Sequence, residues 1–234
     1  MRPDPPAPRR GWAIRLFLVA EAVFLAVSAL VGWLIGLDDA GGILAAIAVP
    51  SVAAAVVAVL LTAWLGNGPR IDLGLRWSWD DVAVGLITGL GGLLLTVPAA
   101  LVYAWVVGPE GMSTAVGDVF GGVRTTWPVA LAVMAVVVLV APLCEEILYR
   151  GLLWRAVEKH VRNQWVVYLL TTLVFAFAHF ELTRTPLLFV VALPLGLARV
   201  LTGRLTASVI AHQINNFLPG MALALMLTGV VPSV

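Results

Sequence analysis

Charge is what this chain has least of. Only 12% of its 234 residues are Asp, Glu, Lys or Arg, against about 25% in a soluble domain, so no soluble domain of ordinary surface fits anywhere along it. The net charge of +1 offers no argument for a nucleic-acid partner, and none is expected. A single cysteine excludes a disulfide framework and a cysteine-rich metal site. The HExxH spacing of helical zinc peptidases is absent, as is any internal repeat of the kind that pairs the halves of many transporters. What remains is apolar. The chain is 61% hydrophobic with a mean hydropathy of +1.02, and its apolar runs reach roughly 20 residues, the length that crosses a bilayer as a helix. The composition predicts an all-α fold, a polytopic transmembrane helix bundle of about seven spans (six to eight).

Three regions follow. Residues 1–11 are a basic, proline-rich tail, expected to be disordered and cytoplasmic. Residues 12–126 hold three spans, Trp12–Gly36, Ile43–Leu65 and Val82–Val107. The first is longer than a signal-peptide core and is read as an uncleaved anchor. Within this region 66–81 mixes charge with Trp77 and Trp79 and is expected at the interface, and 108–126 is a glycine-rich loop. Residues 127–234 hold a long fourth helix from Trp127 to about His160, then spans at Trp165–Phe180, Pro186–Leu201 and Thr206–Thr228. Pro142 is expected to kink the fourth helix, and Pro194 to break the sixth. All nine tryptophans fall at or near span ends, as an interfacial aromatic belt requires. Of the basic residues only Arg124 and Arg184 fall towards the second set of ends. The positive-inside rule then makes the N-terminus cytoplasmic. The expected location is the plasma (inner) membrane of a prokaryote, with the bilayer as constant partner.

The chemistry is expected where charge interrupts the apolar run 128–143. Glu145 and Glu146 follow it directly, and Arg150 lies four residues past Glu146, on the same helix face. Glu145 is rotated about 100° away from that face. Glu146–Arg150 is therefore read as a structural pair and Glu145 as the free carboxylate. A charge at bilayer depth costs at least about 2.5–3.5 kcal/mol on insertion scales, so it implies a partner or a function. Few other polar groups lie at depth: Glu21, His179, His212, Asn215 and Asn216. Glu145 and His179 are equidistant from residue 162 in the hairpin of the fourth and fifth helices, and so should face each other. His212 and Asn216 share a face, as do Phe175 and His179. Glu21, isolated in the first span, is read as a lateral hydrogen-bonder or an accessory group, and Cys144 as inert.

Such a set can hydrolyse a peptide bond. A buried carboxylate serves as general base, a histidine opposite it orients water, and a second histidine with an amide donates to an oxyanion. Alternatively Glu145, His179 and His212 bind zinc. A non-proteolytic class also stands: an immunity or scaffold protein of the membrane, or a proton-coupled transporter.

At these residues the sequence resembles the CPBP family of CAAX proteases and bacteriocin-processing enzymes, also called Abi or type II CAAX prenyl endopeptidases. EExxxR is matched by Glu145, Glu146 and Arg150, FxxxH by Phe175 and His179, and HxxxN by His212 and Asn216. The resemblance covers about residues 127–220. It implies an intramembrane endopeptidase acting on a peptide or membrane-protein substrate. By the same resemblance Glu145 and His179 activate water, His212 and Asn216 stabilise the oxyanion, and Glu146, Arg150 and Phe175 support the site. The family is commonly labelled metalloprotease. No obligatory metal is favoured here, since only two histidines face the site, and zinc remains the alternative cofactor. Reporter fusions test the orientation: one after residue 10 should read cytoplasmic and one within 108–126 external, and a cytoplasmic signal from that loop would reverse the topology.

Overall fold

In hydrocarbon every backbone N–H and C=O must find a partner inside the protein, which leaves a long apolar segment the choice of helix or closed barrel. A computed structural model of the chain describes residues 12–35, 39–108, 120 and 122–232. Among them there are helices and no strands. The expected tail and most of the 108–126 loop lie outside the described residues.

The helices are α1 (Trp12–Leu34), α2 (Ala40–Leu65), the single turn α3 (Pro69–Asp72), α4 (Trp79–Val107), α5 (Trp127–Glu158), α6 (Gln164–Phe177), α7 (Thr185–Thr202) and α8 (Leu205–Leu227). α1, α2, α4, α5 and α7 are long and apolar enough to cross a membrane. α8 has the length, at 23 residues, but His212, Gln213, Asn215 and Asn216 dilute its apolar character. α6 has 14 residues and rises about 21 Å, short of a hydrocarbon core of about 30 Å. The expected span Trp165–Phe180 thus ends three residues early, where Phe180 adopts a left-handed φ of 56° and turns the chain towards α7.

Helix starts follow capping chemistry. Asp39 accepts from the Gly42 N–H at 2.8 Å, Ser78 from Asp80, and Asn163 from Trp165. Gly203, at φ 65°, ends α7 as left-handed glycine does.

α1 and α2 form a hairpin against α5, while α4 lies against α7 and α8. The α4 contact is made by Gly85, Gly89 and Gly92, which recur on one face. A β-carbon on Gly85 would lie 2.8 Å from the Ala207 carbonyl oxygen, and one on Gly92 would lie 2.6 Å from Pro194 Cγ. Small residues let helix backbones approach where lipid removes the hydrophobic drive to associate.

Two proline expectations change. α7 runs unbroken through Pro194. Its carbonyls there bind neighbouring side chains: Arg150 Nη2 donates to Ala192, the Tyr168 hydroxyl to Leu193 and the Ser208 hydroxyl to Leu195. Pro142 widens α5 into a π-helical turn over Val136–Val140. The segment 66–81 is more than interfacial surface. Leu73 is fully buried, Asp72 pairs with Arg155, Arg204 pairs with Asp81, and Gly74 packs on the Arg199 guanidinium. This segment ties the ends of α5, α7 and α8 together. The tryptophans divide. Those at 33, 64, 77, 79, 105, 127 and 165 are exposed, Trp12 lies under Lys159, and Trp154 is buried with Val167 and Tyr168, so it is a core residue and no part of a lipid-facing belt.

The glycine contact generates a paired prediction. Gly85→Val or Gly89→Val should cost about 1–3 kcal/mol, the usual penalty of overpacking, read as lower folded yield and lower thermal stability in detergent. Gly91→Ala, which meets nothing within 4 Å, should be neutral or stabilising.

Candidate active site

Proline has no N–H, and its ring crowds the carbonyl four residues back. In α5 the turn before Pro142 relaxes by widening. The Ala141 N–H donates to Val136, five residues back, and the Val137 carbonyl is taken by Asn216 Nδ2 of α8 at 3.1 Å. Gln213 Nε2 reaches the Leu139 carbonyl at 3.4 Å. α8 is thereby seated on the widened turn. Gly220 allows the approach, since a β-carbon there would lie 2.6 Å from Val138 Cγ2.

One turn on, the two glutamates diverge. Glu146 is fully buried. Its Oε1 accepts from Arg150 Nη1 at 3.0 Å and from His212 Nδ1 at 2.9 Å. Arg150 is also fully buried, and its guanidinium lies over the Phe175 ring at 4.3 Å. Glu145 points the other way. Its side chain is 30% exposed and lines a cavity of about 570 Å³. His179 lines the same cavity, so the hairpin arithmetic brings these two groups to one space. Glu145 Oε2 lies 3.7 Å from His212 Nε2, which joins the seventh-span histidine to the set.

The hydrogen bonds fix where the ring protons sit. A carbonyl can only accept, so His179 Nδ1, at 2.9 Å from the Phe175 carbonyl, carries the proton, and Nε2 of the neutral ring is an acceptor. The Glu146 carboxylate likewise takes the proton on His212 Nδ1. Phe175 is the hub of the packing: Tyr149, His179 and His212 all meet it edge-on, with centroids at 5.2, 4.8 and 5.8 Å. Asn216 sits one turn beyond His212, half-buried against α5, and does not line the cavity. Asn215 faces α4, where its Oδ1 accepts from Thr96 at 3.2 Å.

Residues 126–218 match the family model described as Rce1-like, type II CAAX prenyl endopeptidase. Over that region the chain is similar to the type II CAAX prenyl endopeptidases. The match takes in every residue of the three motifs. No curated protein and no solved structure matches the chain.

The donor set bears on the question of metal. Among the described residues no three His, Cys, Asp or Glu side chains converge as ligands. Glu145, His179 and His212 are the nearest to such a set; both histidines give Nδ1 to a fixed acceptor and keep Nε2 open, but only Glu145 and His179 of the three line the cavity.

Two participants, Gln213 and Tyr149, were not singled out by sequence and had no signal beyond position. Glu21 was, as a lone acid within an apolar span, and the structure brings it from α1 to the wall of the same cavity. The buried cluster makes a stability prediction. Glu146→Ala strands the Arg150 charge, and Arg150→Ala strands Glu146; breaking a buried pair from one side costs about 3–5 kcal/mol. Each should lower thermal stability in detergent markedly. Glu145→Ala, which removes a part-exposed carboxylate with no close cation other than His212, should lower it little.

Proposed function

We propose that this chain is an intramembrane endopeptidase in which Glu145 and His179 activate water and His212 with Asn216 stabilises the tetrahedral intermediate. The observation that carries this is the split between the glutamates: Glu146 is spent on Arg150 and His212, while Glu145 faces His179 across an apolar cavity.

A water held between Glu145 and the acceptor Nε2 of His179 loses a proton to Glu145. Its oxygen attacks the substrate carbonyl carbon, and the carbonyl oxygen gains the charge. Charge that appears only in the transition state is best met by donors already in place. His212 is held by Glu146 through Nδ1, so an Nε2–H makes it an imidazolium, with Glu146 and Glu145 on its two sides. Asn216 has a second amide hydrogen beyond the one given to Val137. Return of the proton from Glu145 to the leaving amine completes C–N cleavage. No step in this scheme is routed through a metal. Arg15, Arg70, Arg76, Arg155, Lys159, Arg162 and Arg204 share the bundle end that holds Trp12, while Arg124 and Arg184 hold the other. This supports placing the Trp12 end at the cytoplasmic face.

The test is single-turnover cleavage of a peptide pool by the solubilised protein, with binding measured separately. Glu145→Ala and His179→Ala should each nearly abolish turnover, and the double variant should be little worse than either, as for groups acting as a unit. Asn216→Ala should lose about 10²–10³ in turnover with binding nearly intact. Exhaustive chelation should leave cleavage unchanged. Wild-type rates from Glu145→Ala would return the chain to the non-proteolytic class, and one zinc equivalent lost on His179→Ala or His212→Ala would replace the glutamate mechanism.

A further inference from the structure

Glu21 takes no part in the reaction above. It lies on α1, outside the matched residues 126–218, yet it lines the cavity that holds Glu145 and His179. The wall around it is apolar, with Phe24, Leu25, Ile47 and Val174. Tyr149 shares a side-chain hydrogen bond with Glu21 and rests edge-on against Phe175, so the carboxylate is anchored to the same hub that seats both histidines.

Its other oxygen is different. Glu21 Oε1 is shielded and has no hydrogen-bond donor among the described residues, an arrangement that costs free energy until a donor arrives. Among the described residues the cavity lining holds no Lys or Arg, and Arg150 is engaged by Glu146, the Ala192 carbonyl and the face of Phe175. A carboxylate in a low-dielectric cleft with no Lys or Arg beside it draws positive charge. A lysine or arginine side chain suits both features of the wall, because its methylene stem covers apolar surface while its head donates hydrogen bonds.

We propose that Glu21 is a specificity-determining residue whose carboxylate receives a basic side chain of the peptide substrate, close to the bond addressed by Glu145 and His179. This rests on the endopeptidase reading. It names the class of peptide selected: apolar around the scissile bond, with one Lys or Arg near it.

The experiment compares pairs of peptides identical except for Lys or its neutral isostere norleucine at single positions on either side of the scissile bond. For the wild type, kcat/KM should favour the Lys member by about tenfold or more at one position. Glu21→Gln keeps the size of the side chain and a bond to Tyr149, and should bring the ratio close to one. Glu21→Asp should keep part of it. No preference at any position in the wild type, or an unchanged ratio in Glu21→Gln, overturns the proposal. An equal loss of kcat on both members with the ratio intact also overturns it, because Glu21 would then serve chemistry and not selection. Should Glu21→Gln fail to fold, a lowered ratio in Glu21→Asp upholds the proposal and an unchanged one overturns it. If the wild type cleaves none of the peptides, the endopeptidase reading fails on its own. Direct binding of the same pairs to wild type and Glu21→Gln still decides the role of Glu21: a Lys preference lost in the variant upholds it, and the lack of one overturns it.

Discussion

Everything in the C-terminal half turns on one buried charge, the carboxylate of Glu146. An ion at this depth is costly unless its charge is opposed. Arg150 and His212 do this at Oε1, at 3.0 and 2.9 Å, while Oε2 is buried with no hydrogen-bond partner among the described residues. The demands then spread outward. Arg150 must also be satisfied, and it takes the Ala192 carbonyl and the face of Phe175. Phe175 in turn seats His179 and Tyr149. α5, α6, α7 and α8 are thus locked in one register by a single acid, and replacing any one member leaves another stranded.

That lock explains the orientation of Glu145. Consecutive residues on a helix point about 100° apart, so pinning Glu146 inward swings Glu145 sideways into the cavity. The widened turn at Val136–Val140 supports the same geometry. Freed from a regular helical bond, the Val137 carbonyl takes the Asn216 amide, and α8 docks at the height that sets His212 Nε2 at 3.7 Å from Glu145. π-turns are known for marking functional sites; here the cause is plain, since Pro142 cannot donate and a partner helix supplies the missing donor.

The polar site was legible in the sequence because charge in an apolar run is rare and expensive. Glu145, Glu146, Arg150, His179 and His212 stand out for that reason, and spacing alone separates the paired glutamate from the free one. Helix ends were legible to a few residues through caps and glycines. What escaped has a common cause: apolar letters look alike whether they face lipid or protein. Trp154, near the end of α5, and Trp165, at the start of α6, both sit near helix ends, yet one is core and the other exposed. Gly85, Gly89 and Gly92 read as weak helix formers until α8 and Pro194 are seen against them. Pro194 read as a break, whereas α7 runs through it with Tyr168, Ser208 and Arg150 of other helices bound to carbonyls beside it. Leu73, in a stretch that reads as surface, is buried because Asp72 and Gly74 are held by Arg155 and Arg199.

Glu21 shows the limit of motif reading from the other direction. The family match begins at residue 126, but a cavity needs walls on every side, and α1 and α2 supply part of this one through Phe17, Phe24 and Ile47. The two parts obey different constraints. Groups on α5 to α8 are bound to one another by short polar contacts, and a change in one propagates through the cluster. Groups on α1 meet the cavity through apolar packing and one hydrogen bond to Tyr149, so they touch the Glu146 cluster through Tyr149 and its contact with Phe175. On the endopeptidase reading we propose, a bundle divided in this way holds the Glu145–His179 region fixed by polar contacts while an apolar wall faces the rest of the substrate. The acid on that wall is then the group that would select among peptides.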